Sequence, residues 1–211
     1  MTVLPLIILA SNSPRRRELL GWTGVPFSVS PADIDETPLS GETPQEYVTR
    51  LAEQKAQVTA QRNPNQWVLA ADTTVADEGE ILGKPVDNAD AVRMLKRLRG
   101  HAHTVHTGLV LLAGPSGKRV TELCTTPVKM RPYEDVEIEA YVATGDPLDK
   151  AGAYAIQHAG FHPVVNMAGC FACVIGLPLC HLLRAMRTLG VDPAVDLPRV
   201  CQDHLKYDCP V

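Results

Sequence analysis

Apolar and polar positions along this chain fall into blocks that switch between strand-like and helix-like periods. Val3 to Leu9 is a short apolar run that reads as a buried strand, and Ser13 followed by Pro14 supplies a helix N-cap and first helical position. Val25 to Ser30 reads as a second strand, followed by a polar, proline-containing loop from Pro31 to Gly41. Thr43-Pro44-Gln45-Glu46 is a capping box with proline inside it, opening a helix to about Arg62. On that helix Val48, Leu51, Ala52, Lys55 and Val58 recur at spacings of three and four, so Lys55 projects from the face that packs inward. Trp67 to Asp77, apolar and β-branched, predicts a central strand. Beyond it, Asp77-Glu78-Gly79-Glu80 turns the chain, Asn88 caps a helix ending near Gly100, and Val105 to Leu112 is a strand. Gly114-Pro115-Ser116-Gly117 makes a hairpin returning through Arg119 to Met130. Tyr133 to Thr144 has helical spacing and stops at Gly145, and Leu177 to Leu189 is an amphipathic helix. This alternation predicts an α/β architecture. From Val191 onward Pro, Asp and Cys dominate, so the chain divides into a domain over residues 1–190 and an appended tail over 191–211.

Charge stands out where the pattern does not want it. Arg15, Arg16 and Arg17 fall in the first turn of the helix that Pro14 begins. That end carries partial positive charge and unpaired N–H groups, which disfavours each cation by roughly 0.3–1 kcal/mol. A strand, a serine-rich turn and a helix start armed with arginine form a cradle for phosphate or carboxylate; the alternative is a solvated basic face. Lys55 on an inward face must snorkel or meet an anion. Asp72, in the middle of the Trp67–Asp77 strand beside Ala70 and Ala71, is costly to bury unless paired or metal-bound. Asp149 to Gln157 is rich in small residues and reads as backbone that approaches a ligand or another segment closely; Lys150 within it is open to a structural or a phosphate-contacting role.

Composition narrows the classes. A chain of 211 residues that is 45% hydrophobic can bury a full core, and a net charge of −4 argues against a broad nucleic-acid surface. No apolar run approaches the ~20 residues that span a bilayer, and the amino terminus lacks signal-peptide character, so no membrane association and a cytoplasmic location are expected. Cys170-x-x-Cys173 lies in an apolar segment where cysteines act as small hydrophobes, whereas Cys201-x-x-His204 with Cys209 could form a zinc-stabilised module in the tail. His101 and His103 share one face of a strand end that reads as exposed, a candidate metal pair more often inert. Gly79 to Lys84 resembles a phosphate loop, but Pro85 stands where Ser or Thr is needed, and no GxGxxG occurs.

What remains is a set of cations and acids spread over strand ends and loops, suited to a polyphosphate and a divalent metal. Leu9-Ala10-Ser11-Asn12-Ser13-Pro14-Arg15-Arg16, Asp35-Glu36, Glu53-Gln54-Lys55-Ala56, Ala71-Asp72-Thr73, Gly83-Lys84-Pro85 and Asp149 to Gln157 follow in an order that resembles the Maf family of nucleoside triphosphate pyrophosphatases. The resemblance runs from about residue 6 to about residue 190. It implies a mixed-sheet α/β fold related to inosine-triphosphatase-like enzymes, with two lobes around a central cleft. It also implies metal-dependent release of pyrophosphate and a nucleoside monophosphate. By position, Ser11, Arg15, Arg16, Lys55 and Lys84 would hold the triphosphate, Glu36 and Asp72 would hold Mg²⁺ or Mn²⁺, and Asp72 would activate the water. Arg15, Thr73 and Gln157 match the branch that resembles dTTP/UTP pyrophosphatases, with activity on modified pyrimidine triphosphates also in view. The sister branch acting on 7-methyl-GTP is the nearest rival, and a non-catalytic septum-related nucleotide sensor is the alternative outside enzymes. The family implies a homodimer. Gln157-His158-Ala159-Gly160 and Gly169-Cys170-Phe171 depart from the family pattern around the base pocket.

Overall fold

The computed structural model describes residues 4–114 and 116–210. Val3 of the first expected strand and Pro115 of the expected hairpin turn lie outside them. Within the described residues the chain forms β1 (Ile7–Leu9), α1 (Pro14–Gly21), β2 (Phe27–Val29), α2 (Pro44–Arg62), β3 (Trp67–Asp77), β4 (Glu80–Leu82) and α3 (Asn88–Leu98). It continues through β5 (Ala102–Ala113), β6 (Lys118–Met130), α4 (Asp135–Ala143), β7 (Val164–Met167), α5 (Phe171–Ile175), α6 (Leu179–Thr188) and α7 (Leu197–Leu205). Two short 3-10 turns, Asp146–Asp149 and Ala151–Ala153, separate α4 from β7. The strands build one seven-stranded sheet in the order β2-β1-β3-β5-β6-β7, with β4 on β3. β1 lies parallel to β2 and β3, and the other pairs are antiparallel, so the sheet is mixed, as expected.

Helix starts follow their caps. Ser13 accepts the Arg16 N–H and Pro14 sits inside the first turn; Thr43 and Glu46 close the capping box of α2. The cap of α3 is Asp87, not Asn88: its carboxylate accepts the Asp90 N–H at 2.8 Å, placing Asn88 one residue inside the helix. β4, β7 and α5 were not expected; the two strands are too short to show a period, and α5 spans barely more than one turn. The tail also contributes structure. α7 buries Leu197 and places Cys201 in the main core, and His204 stacks on Trp22 with ring centroids 4.3 Å apart.

Strand alternation sorts the core onto the two faces of the sheet. Ile7, Leu9, Leu69 and Ala71 face α1, α5 and α6, while Ile8, Ala10, Val68 and Ala70 face Ala52 and Ala56 of α2. α2 lies close because Gly108 of β5 has no side chain: a Cβ there would sit 2.6 Å from the Val48 carbonyl oxygen. β1 pairs with β3 only as far as Leu69, and β4 joins the same edge only from Val75. Ala70 to Thr74 therefore border a notch in the sheet, and Asp72 and Thr73 sit in it. No helix among the described residues is long and apolar enough to cross a membrane.

Candidate active site

The notch opens into a cavity of about 410 Å³. Its lining includes Ser11, Arg15, Arg16, Glu36, Lys55, Asp72, Thr73, Lys84 and Gln157, so the structure brings together every site residue expected from the sequence. Asp72 and Thr73 are adjacent on β3 and so point to opposite faces: Asp72 toward α2, Thr73 toward α1 and α5. Each meets a cation delivered by the helix on its side.

On the α2 side, the inward-facing Lys55 finds the anion it requires. Its Nζ lies 2.6 Å from Asp72 Oδ1 and 2.6 Å from Glu36 Oε1. Lys55 and Asp72 are buried and Glu36 is half exposed, so two carboxylates from distant parts of the chain converge on one cation. Burial raises the Asp72 carboxyl above its ordinary range, and the charges of Lys55 and Arg16 only partly offset it. For Glu36 the balance reverses. Burial again pushes upward, but the Lys55 hydrogen bond and the charges of Lys55, Lys84 and Arg16 hold the group below its usual value. Tyr47, which the sequence did not single out, donates its hydroxyl to the Glu36 carbonyl at 2.9 Å and anchors that loop. Burial, then the charges of Asp72 and Glu36, push its phenol up to about 12.

On the other side, Arg16 reaches across α1 and is held by neutral acceptors. Nε donates to the Gly176 carbonyl at 2.9 Å, Nη1 to Ser11 Oγ at 3.2 Å and Nη2 to Thr73 Oγ1 at 3.1 Å. Gly176 permits this close approach: its φ of 116° is left-handed, and a Cβ there would lie 3.2 Å from Arg16 Nε. No protein carboxylate within salt-bridge distance neutralises Arg16 among the described residues, so its charge is available to a ligand. Arg15 Nη2 stands 3.8 Å from Asp149 at the rim, and Arg17 is exposed.

The small-residue segment closes the far wall. Gly152 N–H donates to the Gly83 carbonyl at 3.0 Å, tying the loop that carries Lys84 to this segment. Lys150, left open by the sequence, is buried and donates to the Asp146 carbonyl, Asp146 Oδ1 and Asp149 Oδ1 at 2.6, 2.9 and 2.6 Å, a structural clamp. Tyr154 lines the cavity with its hydroxyl turned back to His103 Nε2 at 2.8 Å. His103 is thus buried rather than on an exposed strand end, while His101 pairs outward with Asp77 at 2.9 Å.

Glu36 and Asp72 are hard oxygen donors facing the cavity, a set that suits a divalent cation completing its shell with phosphate and water. No group of three or more His, Cys, Asp or Glu side chains converges as a metal site among the described residues. In the tail, Cys201 is buried in the core and His204 lies flat on Trp22. Cys170 and Cys173 are core residues, as their apolar segment suggested.

Residues 6–189 match the family described as Maf-like protein. A dTTP/UTP pyrophosphatase of Geobacter sulfurreducens is 48% identical over 184 residues, covering 87% of this chain and 96% of that protein. One from Myxococcus xanthus is 50% identical over 186 residues, covering 88% and 93%. Among solved structures, the Staphylococcus aureus Ham1 protein aligns with a TM-score of 0.45 at 15% identity, over 95% of this chain and 98% of that one. The match spans the notch, the cavity walls and every element that carries them, and the chain belongs to the Maf family.

Proposed function

We propose that this protein hydrolyses dTTP and UTP to the nucleoside monophosphate and pyrophosphate, with modified pyrimidine triphosphates as further substrates. The observation that carries this reading is the convergence of Glu36 and Asp72 on Lys55, opposite an Arg16 held by neutral acceptors, within one cavity. The names of the relatives support the choice of nucleotide. Ser11, Arg15, Arg16, Lys55 and Lys84 receive the triphosphate, the guanidinium groups offering paired N–H donors to its oxygens. Glu36 and Asp72 would hold Mg²⁺ or Mn²⁺, which when bound supplies positive charge to the phosphoryl oxygens.

The buried Asp72 carboxylate, its proton affinity raised, takes a proton from the water as that oxygen attacks the α-phosphorus. The bond from the α-phosphorus to the bridging oxygen breaks, and pyrophosphate departs with the electron pair. The surrounding cations stabilise the charge that gathers on it. Gln157 presents an amide that both donates and accepts, matching the imide edge of thymine or uracil.

Pyrophosphate release measured on a panel of triphosphates with Mg²⁺ or Mn²⁺ tests the reading. Turnover of dTTP and UTP above the others is expected. Preference for 7-methyl-GTP would move the protein to the sister branch, and no turnover of any nucleotide would leave only a sensor.

A further inference from the structure

We propose that Thr107, a fully buried residue of β5 one layer behind the cavity wall, is the positioning residue that aims Arg16 at the triphosphate; the proposal rests on the function argued above. Thr107 Oγ1 lies 2.8 Å from the Cys173 carbonyl oxygen and 2.9 Å from Thr73 Oγ1, its register partner on β3. A hydroxyl has a single proton, and a carbonyl can only accept. Thr107 therefore donates to Cys173, which makes the Thr73 hydroxyl the donor in the bond between the two threonines. With its proton spent inward, Thr73 Oγ1 has only lone pairs left, and one of them receives Arg16 Nη2.

The second branch starts at the same Cys173 carbonyl. It also accepts the Gly176 N–H at 3.0 Å, closing the turn that ends α5, and the Gly176 carbonyl takes Arg16 Nε at 2.9 Å. Thr107 thus stands behind both Thr73 and Gly176, leaving Ser11 as the protein acceptor of Arg16 outside its reach. Each terminal nitrogen of Arg16 spends one N–H on the protein and keeps one for an anion. The direction of those remaining N–H groups is set by the chain Cys173–Thr107–Thr73–Arg16. Thr107 touches no substrate; it fixes hydroxyl polarity and loop position for the residue that does.

The test compares wild type with Thr107→Val, which keeps the shape and removes the proton, and with Thr107→Ser, which restores it. Steady-state release of pyrophosphate from dTTP and calorimetric titration with inorganic tripolyphosphate are both read well below each melting temperature. Thr107→Val is expected to raise KM and weaken tripolyphosphate binding about tenfold, the loss of roughly one charged hydrogen bond, with kcat little changed. Thr107→Ser is expected to recover both. Should the valine variant not fold, Thr107→Cys, a weak donor, is expected to fall between them. Wild-type KM and wild-type tripolyphosphate affinity in Thr107→Val, or in Thr107→Cys should the valine variant not fold, would overturn the proposal and leave Thr107 a packing residue. Failure of the wild type to turn over any nucleotide would instead remove the function proposed above, and the tripolyphosphate titration would still decide the role of Thr107.

Discussion

Asp72 is flanked on β3 by Ala71 and Thr73, which face the opposite side of the sheet, so its carboxylate stands alone on the α2 face until Lys55 reaches it. Asp72→Asn keeps an acceptor for Lys55 at nearly the same volume but removes the proton acceptor. Turnover of dTTP is expected to fall about 10²–10⁴-fold, the usual worth of a general base, while the melting temperature does not drop. An active Asn variant in initial-rate assays would take Asp72 out of its assigned role. His103 supplies a second residue-scale prediction, in pH. Burial drives its imidazole down to about 4, whereas the unfolded chain titrates near its ordinary value of 6.5. Below 6.5 the unfolded state therefore binds a proton that the folded state refuses, and stability falls as pH falls through this window. Between pH 7.5 and 5 the loss attributable to His103 is about 2 kcal/mol. Urea unfolding of wild type and His103→Gln at the two pH values checks it, since the variant should lack that part of the slope.

At the scale of elements, the site depends on how closely α2 sits on the sheet. Val48 and Lys55 lie two turns apart on α2, and Val48 is the point where Gly108 admits the helix. Gly108→Ala would place a Cβ 2.6 Å from the Val48 carbonyl oxygen, a clash with backbone that no rotamer relieves. The expected cost is about 1–3 kcal/mol of stability, from overpacking. Turnover should fall as well, because α2 carries Lys55 away from Asp72; chemical denaturation and initial rates read the two effects. α2 itself was legible in the sequence because a capping box, a proline and a three-four apolar rhythm agree over many residues. Lys55 and Asp72 were legible as charges in apolar surroundings. Thr107 and Tyr47 were not. A threonine in a strand and a tyrosine in a helix satisfy local preferences, and only the register Thr73 to Thr107 and the fold of the Glu36 loop give them partners. α5 was missed for a related reason: it holds few residues, and its purpose is the Gly176 turn, a tertiary contact with Arg16.

At the scale of the whole molecule, residues 191–211 looked separable because proline, aspartate and cysteine dilute any apolar period. Part of this tail nonetheless packs on the core. Val191 and Cys201 join the same buried cluster as Leu19 and Leu20 of α1, Leu197 is fully buried, and His204 covers Trp22 just past the end of that helix. The tail also reaches the segment before α5, where the Tyr207 hydroxyl donates to the Met167 carbonyl at 3.1 Å. Both contacts bear on Arg16, which α1 carries and the α5 turn holds. Truncation after Gly190 would return the apolar side chains of this tail to water at about 2 kcal/mol for a large one, several kcal/mol in all. That approaches the entire net stability of an ordinary domain, roughly 5–15 kcal/mol. The truncated chain is therefore expected to melt far below the full chain in calorimetry, or to fail to fold. A melting temperature unchanged by the truncation would show that the tail is an appendage after all. His204→Ala separates the two contributions: losing the stack alone should cost about 1 kcal/mol, a small fraction of the truncation.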